Sequence, residues 1–493
     1  MTLDFFEKQK KQRGNFLVSE ELKNENEELT EASSQKNDEE TISALFENQE
    51  TEVPKKERKI SLHTAIFAGI AVVLAAVMLT YTCLSGIYYQ RLAKIQTSQS
   101  VTGDDKYYPF ELFDQIFSQL SFAELDEQEM MEAALKAYVA ATGDVYAAYY
   151  TAEEYAAMMA SSEGKTQGIG INIAYNTIEY DGKVQDVVQI IHVTQGSPAA
   201  EAGLLAGDVI YAIGENGADG TVDALGYSTA IQKLQGEAGT KASFTILRKE
   251  NGLWSEPISK SVLRREFTSD SVYGTISSSG KVGIVRIVGF DLTTPKQFSN
   301  EIDRLKAAGC ESFVFDLREN PGGNLQSIEA ILSYFLSEGD TLIRTVDKAG
   351  NEEVSTVKVV NYSGNMKDCS VSESDIGKYK DLKSVVLCNG ATASAAELFT
   401  ATFRDYELGE IVGTKTFGKG SMQNILSLSG YGYSGALKLT VAMYFSAKDT
   451  EGYNGVGISP DHTVELEGEK SFYVREEAED DQLVFALGLL END

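Results

Sequence analysis

Two short segments, A-T-A-S-A-A-E (residues 391–397) and K-T-F-G-K-G (residues 415–420), place Ser394 and Lys419 twenty-five residues apart, with Gln423 four further on. A serine hydroxyl is a poor nucleophile until a base takes its proton, and a lysine is such a base only when held neutral. Desolvation disfavours the ammonium form, so a lysine on an apolar strand can become a usable base. Lys419 stands on a strand-like run beside Phe417, Gly418 and Gly420, and the small residues around Ser394 let a substrate backbone approach closely. The pairing reads as a Ser/Lys hydrolase. The chain has three histidines, His63, His192 and His462, and none accompanies a serine in a recognisable motif, so a Ser-His-Asp triad is unsupported. Cys388, six residues before Ser394, is a weaker candidate nucleophile because it lacks an identified histidine partner. Taken alone, Ser394 also suits an ordinary helix start and Lys419 an exposed strand position.

The elements that must position these groups read as alternating strands and helices. Residues 281–290 and 311–317 have strand character and flank a helix over 295–308; helices over 325–336 and 395–405 follow the glycine- and serine-bearing loops. Residues 438–445 form another strand, and 476–490 form a C-terminal helix, acidic at its start and apolar later. Alternation of this kind implies an α/β core. Ahead of it, residues 107–159 are helical in pattern, with 127–141 amphipathic. Pro321-Gly322-Gly323 follows the buried strand and by itself reads as a turn.

Residues 164–265 have their own logic. The run Gly168-Ile169-Gly170-Ile171-Asn172-Ile173 passes from a glycine loop into an alternating strand. Such a loop can aim N–H groups at a terminal carboxylate, and the strand edge can pair with an extended peptide. Residues 198–203 read as a short helix, and Ser197, between Gly196 and Pro198, belongs to a turn. This region resembles a PDZ domain with a β-barrel sheet; the alternative is a small barrel used only for packing.

From about Asp126 to Asp461, some two-thirds of the chain, eight motifs occur in one order. They are G-D-V-Y (143–146), E-E-Y (153–155), Q-G-I-G-I (167–171), G-S-P-A-A-E-A-G-L-L-A-G-D-V-I (196–210), F-D-L-R-E-N-P-G-G (315–323), the serine and lysine segments, and G-V-G-I-S-P-D (455–461). In that order they resemble the C-terminal processing peptidases, also called tail-specific proteases. The resemblance implies Ser394 as nucleophile, Lys419 as general base and Gln423 as the residue that positions the lysine, and leaves Lys415 a supporting or structural part. It also implies oxyanion donors in the Gly322-Gly323 pair and at the Ala395 N–H. The PDZ domain, with peptide-binding residues Gly168, Ile169, Gly170 and Ile171, would recognise substrate C-termini. Two departures stand out: Val145 where the family usually has Pro, and Thr392 where it often has Ser. In the family the early helical region helps form dimers and cages, which leaves a homo-oligomer open. An inactive membrane-tethered PDZ scaffold, or a hydrolase of a non-peptide acyl substrate, are the alternatives; the intact Ser394, Lys419 and Gln423 argue against the first and the PDZ-like module against the second.

No charged residue lies between Lys59 and Arg91, and residues 65–79 are nearly all apolar. That length crosses a bilayer, which needs about 20 apolar residues. Lys55, Lys56, Arg58 and Lys59 outnumber Arg91 and Lys94 on the far side, predicting a cytoplasmic N-terminus and an extracytoplasmic catalytic part. The long tail ahead of it favours a retained anchor over a cleaved signal peptide. Within residues 1–52, fourteen acidic residues face six basic ones with few apolar clusters, a composition that stays disordered. The expected plan is therefore a disordered tail (1–59), one transmembrane helix (60–90), a helical region (100–163), a PDZ domain (164–265), an α/β protease core (266–470) and a C-terminal helix (471–493). The formal net charge of −31 opposes nucleic-acid binding. Cys83, Cys310, Cys369 and Cys388 show no metal spacing; no metal or organic cofactor is expected, and buried free thiols are the default outside the anchor.

Overall fold

The computed structural model describes residues 108–122, 126–250, 252–468 and 470–491. The expected tail and transmembrane helix, with His63 and Cys83, lie outside them. Among the described residues no helix is long and apolar enough to cross a membrane. The chain divides into two compact units, Met1–Glu124 and Leu125–Asp493. The described part of the first is a helix, α1 (Tyr108–Leu120), which carries Phe110, Phe113 and Phe117 at helical spacing.

The second unit opens with α2 (Glu127–Ala140), capped by the Asp126 carboxylate on the N–H groups of Gln128 and Glu129. The helical expectation for this stretch is corrected at one point: β1 (Ala148–Tyr150) interrupts it before α3 (Ala152–Ser162). Tyr149 is buried there, and backbone pairing of β1 with a later strand outweighs local helix propensity.

An inserted module follows, entered through β2 (Lys165–Gly168) and built from β3 (Ile171–Tyr180), β4 (Lys183–Val193), the short α4 (Pro198–Glu201), β5 (Val209–Ile213), α5 (Tyr227–Leu234), β6 (Lys241–Leu247) and β7 (Ile258–Leu263). It is left through β8 (Arg265–Thr268), which pairs antiparallel with β2, so one two-stranded stem carries the insertion. The module has its own core, including Val188, Ile190, Ile210, Phe244 and Ile246. Its strands run in the order β7-β6-β5-β4-β3, and the two outer strands do not pair with each other. The expected barrel is thus an open sheet, whose edge strand β3 retains one unpaired side.

The main sheet contains β9 (Val272–Ile276), β10 (Val282–Ile287), β11 (Ser312–Asp316), β14 (Lys383–Cys388), β15 (Glu410–Gly413) and β18 (His462–Thr463), in that spatial order. The pair β9/β10 is antiparallel and the rest are parallel. Every residue of β11 is buried, as a parallel strand covered on both faces requires. Its side chains alternate between layers: Phe313 and Phe315 pack on α6 (Thr294–Ala307), α7 (Leu325–Ser333) and α8 (Ala395–Tyr406), whereas Val314 faces α9 (Asp481–Glu491). A second sheet holds β1, β12 (Thr341–Asp347), β13 (Glu352–Thr356), β16 (Ser421–Ser427) and β17 (Ala436–Phe445), with β16 and β1 both paired to β17.

A buried ionic cluster ties α9 to the end of β11. The Arg318 guanidinium, 2 % exposed, bonds the carboxylates of Asp316 and Asp480 and the Gln482 amide oxygen at 2.7–3.1 Å, and stacks 4.0 Å from the Phe472 ring. Burial opposes the Asp316 charge, but the neighbouring Arg286 and Arg318 guanidinium groups prevail and hold its carboxyl below the ordinary range. Arg318→Met should cost about 3–5 kcal/mol by stranding the buried Asp480 carboxylate and leaving Asp316 to Arg286 alone. Urea unfolding of the purified variant checks this; a loss under about 1 kcal/mol would be the value of an exposed pair instead.

Candidate active site

Strands β11 and β14 are parallel neighbours, and the chain leaves their carboxyl ends in two loops that feed α7 and α8. The ends of parallel strands are where open α/β sheets place ligands. Here the loops are laced together: Leu317 N–H donates to Leu387 O at 2.9 Å and Ala393 N–H to Asn320 O at 2.9 Å. The Thr392 hydroxyl donates to Leu317 O and accepts from Asn389 N–H, both at 2.9 Å. A serine hydroxyl supplies the same donor and acceptor, so the Thr392 departure keeps the clamp. Val145, the other departure, is 85 % exposed.

Ser394 sits at the start of α8 with φ 58° and ψ −121°, a conformation that costs a non-glycine residue about 1–3 kcal/mol. Its N–H donates to Glu397 Oε2 at 2.9 Å. Gly322 lies against it: a Cβ there would stand 2.6 Å from Ser394 Cβ and 2.8 Å from Ala395 N. At Gly323 a Cβ would come 2.1 Å from the Phe290 carbonyl oxygen. Both positions therefore require glycine, beyond a simple turn preference. The Gly322 N–H donates to Asn320 Oδ1 at 2.8 Å, and the buried Asn320 amide in turn donates to Ile287 O.

The second loop, 414–420, is held by the same carboxylate. Glu397, fully buried, accepts from Thr416 Oγ1 (2.6 Å) and Gly418 N–H (2.7 Å) on one oxygen, and from Ser394 N–H and Lys419 N–H (2.7 Å) on the other. The strand-like reading of this run is corrected: residues 415–420 form a loop, with β16 beginning at Ser421. The Gly418, Lys419 and Gly420 N–H groups turn inward to Glu397 and Asn454 instead of into a ladder. Motif 455–461 supports the loop from behind: Gly455 N–H donates to Gly418 O, Ile458 N–H to Thr416 Oγ1, and a Cβ at Gly457 would collide with Thr416 O.

Lys419 is half-buried and Lys415 exposed. The Lys419 Nζ lies 4.7 Å from the centre of the Tyr146 ring, and its carbonyl accepts the Tyr444 hydroxyl at 2.6 Å. Burial, helped by the Lys438 charge and opposed by Glu397, pulls the Lys419 ammonium below the ordinary lysine value. The Gln423 amide donates to Ser421 O, Ser421 Oγ and Thr440 Oγ1 at 3.0–3.2 Å. Thr440 donates its N–H and hydroxyl to Asp144, which also accepts the Tyr146 N–H at 3.0 Å. The G-D-V-Y motif is thereby placed beside the lysine.

Ser394, Lys419, Gln423, Gly322, Gly323 and Ala395 line one cleft of about 1110 Å³, which extends to Asn172 on β3 and to Asp270 in the connection back from the module. Leu325, Ile328, Leu398 and Met422 make part of its wall apolar. Gly168 ends β2 and Ile171 begins β3, with Ile169 and Gly170 in the turn between them, and none of the four is among the residues lining that cleft. The Ile169 carbonyl accepts Ala199 N–H and the Gly170 carbonyl accepts Thr194 N–H. A trans peptide sends its N–H opposite to its carbonyl, so the Gly170 and Ile171 N–H groups face away from that turn. Ser197 is buried with its hydroxyl on Gly170 O, His192 is bonded to Asp270, and His462 to Glu410. Cys310, Cys369 and Cys388 are buried free thiols, and burial pushes the Cys388 thiol up to about 12, unsuited to a thiolate nucleophile.

Sequence reasoning quoted Glu397, Asp144 and Tyr146 inside motifs but gave them no task. The Ser-x-x-Glu spacing of 394–397 is a helix-capping signature and was the one signal for Glu397. Nothing local marks Asp144 and Tyr146, whose partners lie almost three hundred residues away. Gly322→Ala should cost about 2–4 kcal/mol through the collision with Ser394 and the φ of 96°, measurable by urea unfolding.

Residues 281–464 match the model of peptidase family S41. The chain is 28 % identical over 399 residues to the carboxy-terminal processing protease CtpA of Bacillus subtilis, covering 80 % of this chain and 75 % of that one. It is 30 % identical over 352 residues to a carboxy-terminal-processing protease of Bartonella bacilliformis, covering 69 % and 70 %. In fold it is similar to a Bacteroides fragilis protein assigned to the S41 proteases, with a TM-score of 0.51 at 20 % identity over 80 % of this chain and 99 % of that structure. The chain belongs to peptidase family S41 and is a serine-type endopeptidase of the carboxy-terminal processing group.

Proposed function

We propose that this protein cleaves protein chains near their C-terminal tails by a Ser394/Lys419 dyad, tethered to the outer side of a cytoplasmic membrane by residues 60–90. The observation that carries the dyad is the shared anchor: one buried carboxylate, Glu397, binds the backbone N–H of both Ser394 and Lys419. Lys419, held toward its neutral form, takes the serine proton as the hydroxyl attacks the peptide carbonyl, and later gives that proton to the leaving amine; water then releases the acyl-enzyme. The Gly323 and Ala395 N–H groups serve as oxyanion donors, because the Gly322 N–H is already given to Asn320. Gln423 supports the lysine through the Thr440–Asp144–Tyr146 chain.

The inserted module acts as a PDZ domain. Its open strand β3 can pair with an extended tail, and the Gly170 and Ile171 N–H groups suit a terminal carboxylate. The relatives named as carboxy-terminal processing proteases support this assignment. The uncharged stretch after Lys59 supports the tether, and the charge asymmetry around it supports the outward catalytic part.

Purified full chain in detergent, incubated with an unfolded reporter ending in a free apolar tail, tests the dyad by mass spectrometry of the products. Ser394→Ala and Lys419→Ala should each lose at least about a thousandfold in cleavage, while Lys415→Ala keeps turnover. The reverse pattern for the lysines would reassign the base. Glu397→Gln should lose at least about a hundredfold while still folding, since an amide cannot accept four donors. Amidating the reporter's terminus should weaken its binding to the Ser394→Ala protein; equal affinity would remove the glycine-loop carboxylate site.

A further inference from the structure

We propose that Lys438 and Tyr146 bracket the base Lys419 and set, with opposite sign, the pH at which it can take the Ser394 proton. This rests on the reading of Lys419 as base. Lys438 lies on β17 opposite Ile425 of β16, two residues from Thr440, which pairs with Gln423. Side chains two apart on a strand share a face, so Lys438 is on the face that carries the Gln423–Thr440–Asp144 hydrogen bonds. That face opens into the cleft shared with Ser394 and Lys419. Among the described residues no salt bridge engages Lys438, in a chain whose acidic residues outnumber basic ones 74 to 43. A second ammonium in the same cleft repels that of Lys419 and favours its neutral form.

Tyr146 acts the other way. Its ring face lies 4.7 Å from Lys419 Nζ, and an aromatic face attracts an ammonium. Its position follows from Asp144, whose carboxylate binds the Tyr146 N–H and is gripped by Thr440. The other groups facing Lys419 are the Glu397 carboxylate on its N–H and the Tyr444 hydroxyl on its carbonyl. Glu397 favours the ammonium but is committed to four donors. Lys438 and Tyr146 are thus positioning residues, acting on chemistry only through Lys419.

The sign follows from the task. A base must be neutral, so cleavage rises with pH through the Lys419 pKa. Removing the Lys438 charge stabilises the ammonium and moves the rise to higher pH. Removing the Tyr146 ring destabilises the ammonium and moves it to lower pH. The experiment is the pH profile of kcat/KM for the unfolded reporter, using full chain in detergent, for wild type, Lys438→Gln, Lys438→Arg and Tyr146→Leu. The midpoint of the acid-side rise is the readout, whatever each change does to the plateau. Lys438→Gln should shift it up by about half a unit or more, roughly a threefold loss on the acid side, with Lys438→Arg near wild type and Tyr146→Leu shifted down. An unmoved midpoint in Lys438→Gln, an equal shift in Lys438→Arg, or shifts of the same sign in Lys438→Gln and Tyr146→Leu would overturn the proposal. A second readout needs no activity. In Ser394→Ala protein with reductively 13C-methylated lysines, the NMR signal lost in Lys419→Arg should titrate with the same ordered shifts. If Lys419→Arg keeps the wild-type profile, the reading of Lys419 as base fails, and the bracketing with it. If Lys419 is essential but its midpoint ignores both neighbours, only the bracketing fails.

Discussion

The site depends on one buried carboxylate. Glu397 takes four hydrogen bonds, from Ser394 N–H, Lys419 N–H, Gly418 N–H and the Thr416 hydroxyl, and three of these fix backbone rather than side chains. A buried carboxylate is costly unless its lone pairs are met, and here the donors that meet them come from the Ser394 loop and the Lys419 loop. Satisfying Glu397 and joining these two loops are therefore one event. The strained φ of Ser394 and the irregular path of 415–420, with Gly418 at φ 92°, accompany the offer of N–H groups to the same point.

That point needs a rigid floor, which the parallel sheet supplies. Strands β11 and β14 end side by side, and the loops that leave them are joined through Asn320, Ala393 and Thr392. Beneath β11, Arg318 draws Asp316 and α9 into one buried cluster, so the C-terminal helix helps to fix the strand from which the glycine loop departs. The cluster stabilises the fold far from the serine, yet it sets the loop on which the serine's neighbour Gly322 depends.

The inserted module meets this core at the cleft that Ser394 and Lys419 line. Asn172 of its edge strand and Asp270 of the returning chain line the cleft, and Asp270 bonds His192 at 2.9 Å while that ring stacks on Tyr273 of the core. Asn172 on the edge strand β3 therefore borders the same space as Ser394. The stem of β2 and β8 is the module's covalent link to the core, and these cleft contacts are its neighbours across space.

Much of this was legible in the chain itself. The parallel core strands are continuous apolar runs, the helices after them carry period-3.6 patterns, and the observed elements at 282–287, 312–316, 294–307 and 395–406 fall where those patterns lie. Local chemistry also singled out Ser394, Lys419 and the two glycines as candidates, and the structure brings them to one cleft. What the sequence could not express is convergence. The 415–420 run looked like a strand because strand propensity is local, whereas its N–H groups are claimed by Glu397 and Asn454 from elsewhere in the chain. The short β1, the open edge of the module, the placement of Tyr146 on Lys419 and the charge of Lys438 in the same cleft were decided by tertiary structure alone. Residue types and their order determine which chemistry is available; burial and long-range hydrogen bonding determine which groups meet and in which state of charge.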